Sequence, residues 1–222
     1  MALCCFINGV SSFDMLRKYC PSPSEKGSDE AFKVFLQINS LLMRKLSMDE
    51  LNRKSVDEVR RAEKIPVIAL LENIRSAYNV GSVFRTADAF LIEAVYITGY
   101  TAKPPHKEIT KTALGAQESV EWKYFESTLM AVEELRQNKF KIFVVEQVAD
   151  SISLEKFHEL NIDKTVFIFG NEVSGVEQET IALCDGCIEI PQFGMKHSLN
   201  ISVAAGIVLW EAVRTQLKKN LI

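Results

Sequence analysis

The stretch IPVIALLENIRSAYNVGSVFRTADAFLIEAVYITGY, residues 65–100, reads as strand, helix, strand. IPVIALL (65–71) is a continuous apolar run, the pattern of a strand covered on both faces. In NVGSVFRTADAF (79–90), Val80, Val83, Phe84 and Ala87 recur at the spacing of one helical stripe, and Arg85 lies off it. AVYITGY (94–100) is a second strand that ends at a glycine. The alternation continues downstream. Helices are expected at 128–138 and 176–184, strands at 141–147, 165–170 and 187–191, and a long helix at 198–219. Strands alternating with helices imply an α/β fold: a mainly parallel sheet, helices on both faces and right-handed crossovers.

Upstream the character changes. Residues 1–42 contain the turn-rich stretch PSPSEKGSDE (21–30), which reads as a loop or linker. They are expected to be an extension of unassigned role, disordered in part. Met43 offers an alternative start, and on that reading the extension is dispensable. Between residues 43 and 64, Ser47 precedes Glu50 and Ser55 precedes Glu58 at capping-box spacing, which predicts short helices at 47–53 and 55–63. Residues 65–222 form the expected main domain.

Composition limits the function classes. With 47% apolar residues the chain can bury a sizeable core, and its net charge of −3 gives no general affinity for nucleic acid. An RNA partner would therefore need positive charge gathered locally. No apolar run has the length of a membrane span. The opening MALCCFINGV has no Lys or Arg ahead of its apolar stretch, so it fails as a secretory signal, and the cytoplasm is the expected compartment. Five scattered cysteines do not form a disulfide framework. Cys184 and Cys187 make a C-x-x-C without a second pair nearby, so the pair reads as two buried thiols and no metal is expected.

Three polar segments follow expected strands at their C-terminal ends, where open α/β sheets bind ligands. The first is ENIRSAYNVGSVFRTADAF (72–90), with Asn79, Gly81 and Arg85. Gly81 would let its helix approach the sheet closely; Asn79 could equally be a helix cap and Arg85 a surface residue. The second is FGNEVSGVEQE (169–179), with Gly170, Asn171, Glu172, Ser174 and Gly175, a loop able to offer backbone groups to a ligand. The third is IPQFGMKHSLNISVAAG (190–206), with Ile190, Gly194, Ser198, Leu199, Asn200 and Ala204, leading into a helix face of small side chains. Singly, each has an ordinary structural explanation.

Together, in order and spacing, the segments resemble the three signature motifs of the SpoU (TrmH) family of RNA 2′-O-ribose methyltransferases, in the SPOUT superfamily. The resemblance spans about residues 45–217 and leaves residues 1–42 unmatched. It implies an α/β knot, in which the C-terminal part threads a loop to form a deep trefoil knot. It implies S-adenosyl-L-methionine as methyl donor, bound by 146–147, 169–175, 189–194 and 199–204. Within these, Gly170, Asn171, Glu172, Gly175, Ile190, Gly194, Ser198, Leu199, Asn200 and Ala204 would bind the donor. It implies a homodimer in which the final helix meets the first motif. Asn79, Arg85, Glu172, Ser198 and Asn200 carry over as active-site residues.

Methyl transfer from a sulfonium to a hydroxyl needs alignment and help in losing a proton, but no protein nucleophile or metal. A guanidinium keeps its proton to a pKa of roughly 12 or above. Arg85 therefore suits stabilisation of a developing alkoxide, or the grip of a phosphate, better than the role of base. Positive charge for RNA is available at Arg75, at Lys103, His106, Lys107 and Lys111 within TAKPPHKEITKTALGA (101–116), and at Lys196 beside His197. Stretch 101–116 reads as a basic, Pro-containing loop. Transfer RNA is expected over ribosomal RNA, since no long RNA-binding appendage is visible. Two alternatives stand beside this: an inactive RNA-binding or assembly factor of the same fold, and a base-methylating SPOUT enzyme. A Rossmann-type methyltransferase or an NAD-dependent oxidoreductase is disfavoured, because no glycine-rich loop follows the first strand.

Overall fold

The computed structural model describes residue 33 and residues 44–47, 49–196 and 198–219. The expected extension 1–42, Lys33 apart, and the alternative start at Met43 lie outside the described residues, as does His197. Two compact units divide between Arg53 and Lys54.

In the first unit Ser47 and Glu50 exchange capping-box bonds, Ser47 N–H to Glu50 Oε2 at 2.9 Å and Glu50 N–H to Ser47 Oγ at 3.4 Å. The helix expected at 47–53 does not follow. Residues 49–52 form turns, and Asn52, at φ 42°, takes the chain out of a right-handed helical path.

The second unit opens with α1 (Val56–Arg61), capped by the expected box between Ser55 and Glu58. The order is then β1 (Ile65–Glu72), α2 (Ala77–Ala89), β2 (Ile92–Thr98), α3 (Lys107–Ala113), α4 (Ala116–Ser119), β3 (Glu121–Phe125), α5 (Thr128–Gln137), β4 (Lys141–Val145) and β5 (Ile152–Ser153). A 3₁₀ segment (Leu154–Leu160), β6 (Thr165–Phe169), α6 (Gln178–Leu183), β7 (Gly186–Glu189) and α7 (Ile201–Lys219) complete it. The strands form one parallel sheet in the order β3-β2-β1-β6-β4-β7-β5.

The apolar run of β1 is buried on both faces. Val67, Ala69 and Leu71 share one face with Val95, Ile97, Phe167 and Phe169, beneath the Val80, Val83, Phe84 and Ala87 stripe of α2 and Val208, Leu209 and Ala212 of α7. Ile68 and Leu70 share the other with Tyr96, Ile142 and Ile168, beneath Ala131, Val132 and Leu135 of α5. Each large apolar side chain buried here is worth roughly 1.5–3 kcal/mol. That exceeds the ~0.7 kcal/mol spread of ordinary helix propensities, so packing rather than propensity selects these elements.

Where structure and sequence reading differ, short elements at the margin are responsible. β3 is an edge strand, largely exposed, and pairs only with β2, so it carries no buried run. Residues 101–116, expected as a loop, contain α3, whose Ile109 and Ala113 are buried. Gly81 faces α3 rather than the sheet: a Cβ there would collide with the Thr112 hydroxyl and stand 2.5 Å from the Ile109 carbonyl oxygen. Among the described residues, no helix is long and apolar enough to cross a membrane.

From β1 the sheet runs one way to β2 and the other way to β6. The loops after β1 and β6 therefore leave the sheet side by side at a switch point, where a crevice opens beyond the strand ends.

Candidate active site

Both sides of that crevice are fixed by buried polar contacts. Glu72, at the last position of β1 and 1% exposed, accepts the Glu177 N–H at 3.0 Å and the Thr180 hydroxyl at 2.5 Å, tying β1 to the start of α6. Asn73 donates to Glu177 Oε1 at 2.8 Å. Thr101, buried after β2, accepts the Ile74 N–H at 2.8 Å and donates to the Leu71 carbonyl at 3.2 Å.

Asn171 shapes the second signature loop. Its Oδ1 accepts the N–H groups of Val173 (2.8 Å) and Ser174 (3.0 Å), and its backbone exchanges two 3.0 Å bonds with Gly175. This closes the loop so tightly that a Cβ at Gly170 would overlap the Gly175–Val176 backbone, which accounts for the glycine. The Asn171 amide reaches outward to the Asn73 carbonyl at 2.8 Å and the Tyr100 hydroxyl at 2.6 Å.

The loop then presents Glu172 to the start of α2. Its carboxylate accepts Arg75 N–H at 2.9 Å, Ser76 N–H at 3.2 Å and Asn79 Nδ2–H at 2.9 Å. An anion belongs at a helix N-terminus, where free N–H groups and the helix dipole favour it. Partial burial pushes this carboxyl upward, but the N–H groups of Arg75 and of Glu172 itself, with Asn79 and Ser76, outweigh burial and hold it below the ordinary value of 4.5. Ser76, not Asn79, caps α2, its hydroxyl accepting the Asn79 N–H at 3.4 Å. The Asn79 side chain is thereby released, and its Oδ1 accepts Asn200 Nδ2–H at 3.2 Å. Asn200 Oδ1 in turn accepts the N–H (2.9 Å) and hydroxyl (2.7 Å) of Ser202 at the head of α7. Glu172, Asn79 and Asn200 thus join all three segments in one hydrogen-bonded line.

Beside this line lies a cavity of about 550 Å³. It is lined by Gly170, Asn171, Glu172, Gly175, Ile190, Ser198, Leu199, Asn200 and Ala204, together with Glu146, Gln147 and Glu189. Of the residues expected to bind a donor only Gly194 is absent from the lining; it lies in an exposed stretch where a Cβ would meet nothing within 4 Å. Glu146, Glu172 and Glu189 are among the lining residues, each carboxylate accepting at least one hydrogen bond, and among the described residues no Lys or Arg lines the space. Such a lining suits a ligand carrying positive charge beside an apolar portion and disfavours a nucleotide polyphosphate. The sulfonium, ammonium and adenine of S-adenosylmethionine fit that donor set. The Ser198 hydroxyl makes no hydrogen bond among the described residues and is open to a ligand.

Arg85 is exposed on α2, makes no ion pair among the described residues, and does not line the cavity. Arg75, Lys103, His106, Lys107, Lys111 and Lys196 are exposed as well. Lys103 Nζ lies 3.4 Å from the ring centre of Tyr124, and Lys111 Nζ lies 5.6 Å from that of Tyr78. His106 caps α3, its Nδ1 accepting the Glu108 N–H at 3.3 Å. Cys184 and Cys187 are free thiols. Burial, and then the neighbouring Cys187, push Cys184 up to about 12, the opposite of a reactive or metal-binding thiol. Among the described residues no group of three or more His, Cys, Asp or Glu is placed to hold a metal.

Residues 66–210 match the model of the SpoU rRNA methylase family. The chain belongs to the SpoU family. Among its SpoU relatives, the tRNA (guanosine(18)-2′-O)-methyltransferase of Thermus thermophilus is 34% identical over 78% of this chain and 87% of its own length. Two solved structures share the SpoU fold. The A. aeolicus TrmH/SpoU tRNA modifying enzyme superposes at a TM-score of 0.65 with 27% identity, over 74% of this chain and 82% of the other. The AdoMet-bound rRNA methyltransferase from Sinorhizobium meliloti superposes at 0.63 with 25% identity, over 70% and 59%. The residues that motif spacing singled out in this SpoU chain include Glu172, Asn79 and Asn200, which the structure joins by hydrogen bonds. Glu72, Asn73 and Tyr100, which tie these loops together, were not singled out from the sequence, although polar groups at the ends of two apolar strand runs were the available signal.

Proposed function

We propose that this chain transfers a methyl group from S-adenosylmethionine to a ribose 2′-hydroxyl of RNA. The observation that carries the reading is the hydrogen-bonded line Glu172–Asn79–Asn200, set against an acidic cavity suited to a cationic donor. The donor supplies the electrophilic methyl carbon, so the protein's work is alignment and charge. Glu172 and Asn171 hold the loop in the shape that walls the cavity. Ser198 and Asn200 orient the ribose. Arg85 stabilises the oxygen as it loses its proton, a role a permanently charged guanidinium can fill.

Arg85 does not line the cavity of its own chain, and this supports a homodimer that shares the site. The outer face of α7 carries exposed Val203, Ile207 and Trp210 beside a second hollow of about 450 Å³, an apolar surface a second copy would cover. A twofold contact through α7 would bring the α2 of one copy toward the site of the other. The C-terminal trefoil knot of the family, a cytoplasmic setting and reaction without a metal belong to the same reading.

Transfer RNA is the favoured substrate, because the Thermus relative named for transfer RNA aligns over most of both chains. The test is incubation with tritium-labelled S-adenosylmethionine and total RNA from cells lacking the gene, followed by sizing. Label in the transfer-RNA size class supports the reading. Label in ribosomal RNA changes the substrate, and no label in any RNA, despite donor binding by calorimetry, favours the non-catalytic RNA-binding alternative.

A further inference from the structure

We infer that Tyr100 is a stacking platform for an unpaired nucleobase of the substrate RNA, an inference that rests on the RNA reading above. Tyr100 follows β2 and is 64% exposed, unusual for a ring held at both ends. At its base, the Tyr100 N–H donates to Asn73 Oδ1 at 3.3 Å, and the next residue, Thr101, is buried and bonded to both the Leu71 carbonyl and the Ile74 N–H. At its tip, the hydroxyl accepts the Asn171 amide at 2.6 Å. The ring is thereby fixed between the loop after β1 and the second signature loop, next to the residue that presents Glu172.

Its neighbours are already used. Lys103 covers the Tyr124 ring at 3.4 Å, and the Tyr124 hydroxyl donates to the Gly99 carbonyl at 3.1 Å. Lys111 approaches Tyr78. Tyr100 has no aromatic or cationic partner of this kind among the described residues, so its face remains open. Exposed Arg75 belongs to the loop that holds the Tyr100 backbone through Asn73, and a cation there suits a phosphate next to a stacked base. A rigid, exposed aromatic face is the arrangement by which proteins hold single-stranded bases, at little entropic cost because the ring is already ordered. A duplex cannot use it, since its bases are stacked on one another.

The ring and the hydroxyl can be separated by mutation. Tyr100→Phe keeps the face and removes the tie to Asn171; Tyr100→Leu removes the face as well. Filter binding of total transfer RNA, with a mixed-sequence RNA duplex as comparator, and donor binding by calorimetry are measured on the full chain. Tyr100→Leu is expected to weaken transfer-RNA binding about 10- to 100-fold relative to Tyr100→Phe. Duplex affinity should not differ between the two variants, and whatever donor affinity is lost should be lost equally in both. Equal transfer-RNA affinity of the two variants overturns the platform while leaving the RNA reading intact. A parallel loss of duplex binding also overturns it, as a general defect of the surface. Failure of the unmutated chain to bind either RNA overturns both.

Discussion

A carboxylate held against the N–H groups of Arg75 and Ser76 is stabilised only while it is ionised, which makes Glu172 acid-sensitive. Its folded value lies below the ordinary 4.5, so its contribution is complete above that value. The contribution is lost as pH falls through the lower folded value. Acid titration should thus detach the second loop from α2. Glu172→Gln should show a flatter loss of stability on the acid side than the unmutated chain, and an unchanged acid limb would remove Glu172 from this role. Arg85 is the other residue on which the proposed mechanism depends. It is exposed and makes no ion pair among the described residues, so Arg85→Ala should leave donor affinity and thermal stability unchanged. It should lower kcat by about 10²–10³-fold, the cost typical of removing one oxyanion-stabilising donor. Unchanged turnover in single-turnover kinetics would remove it from the mechanism.

At the scale of elements, the close packing of α2 on α3 depends on Gly81. Gly81→Ala would press a methyl group against the Ile109 carbonyl and the Thr112 hydroxyl, and should cost about 1–3 kcal/mol in urea unfolding. A neutral result would mean that α3 can move aside freely. The same pair of helices marks the limit of what the sequence could convey. The buried stripe of α2 and the apolar runs of β1, β2, β4 and β6 are periodic and long, so their positions were legible. α3 buries only Ile109 and Ala113 in a stretch whose Pro104, Pro105 and lysines suggest a loop. The polar site residues were legible as motifs, but their pairing was not. Nothing in the spacing of Asn79 and Asn200 reveals that they share a hydrogen bond across 121 residues. Glu72 read as the first residue of the polar segment after the strand, and only its burial at the last position of β1 exposes it as the anchor of α6.

At the scale of the whole molecule, the residues proposed to bind the donor line one cavity of a single chain, except Gly194, whereas Arg85 lies outside it. If two copies complete each other's sites through α7, Ile207→Lys should convert a dimer to a monomer in light scattering. It should abolish turnover while donor binding survives. Mixing an Arg85→Ala chain with an Asn200→Ala chain should restore part of the activity, since one site of each mixed dimer then carries neither substitution. Full activity of a monomer would contradict the shared site.

The claim on which the rest depends is that the acceptor is a ribose oxygen rather than a base. Alkaline hydrolysis of the RNA labelled with tritiated donor tests it directly, because a methylated 2′-oxygen can no longer attack the adjacent phosphate and the chain stays uncut at that nucleotide. The account predicts that the label survives in alkali-resistant dinucleotides. Label released entirely in mononucleotides would place the methyl group on a base and contradict it.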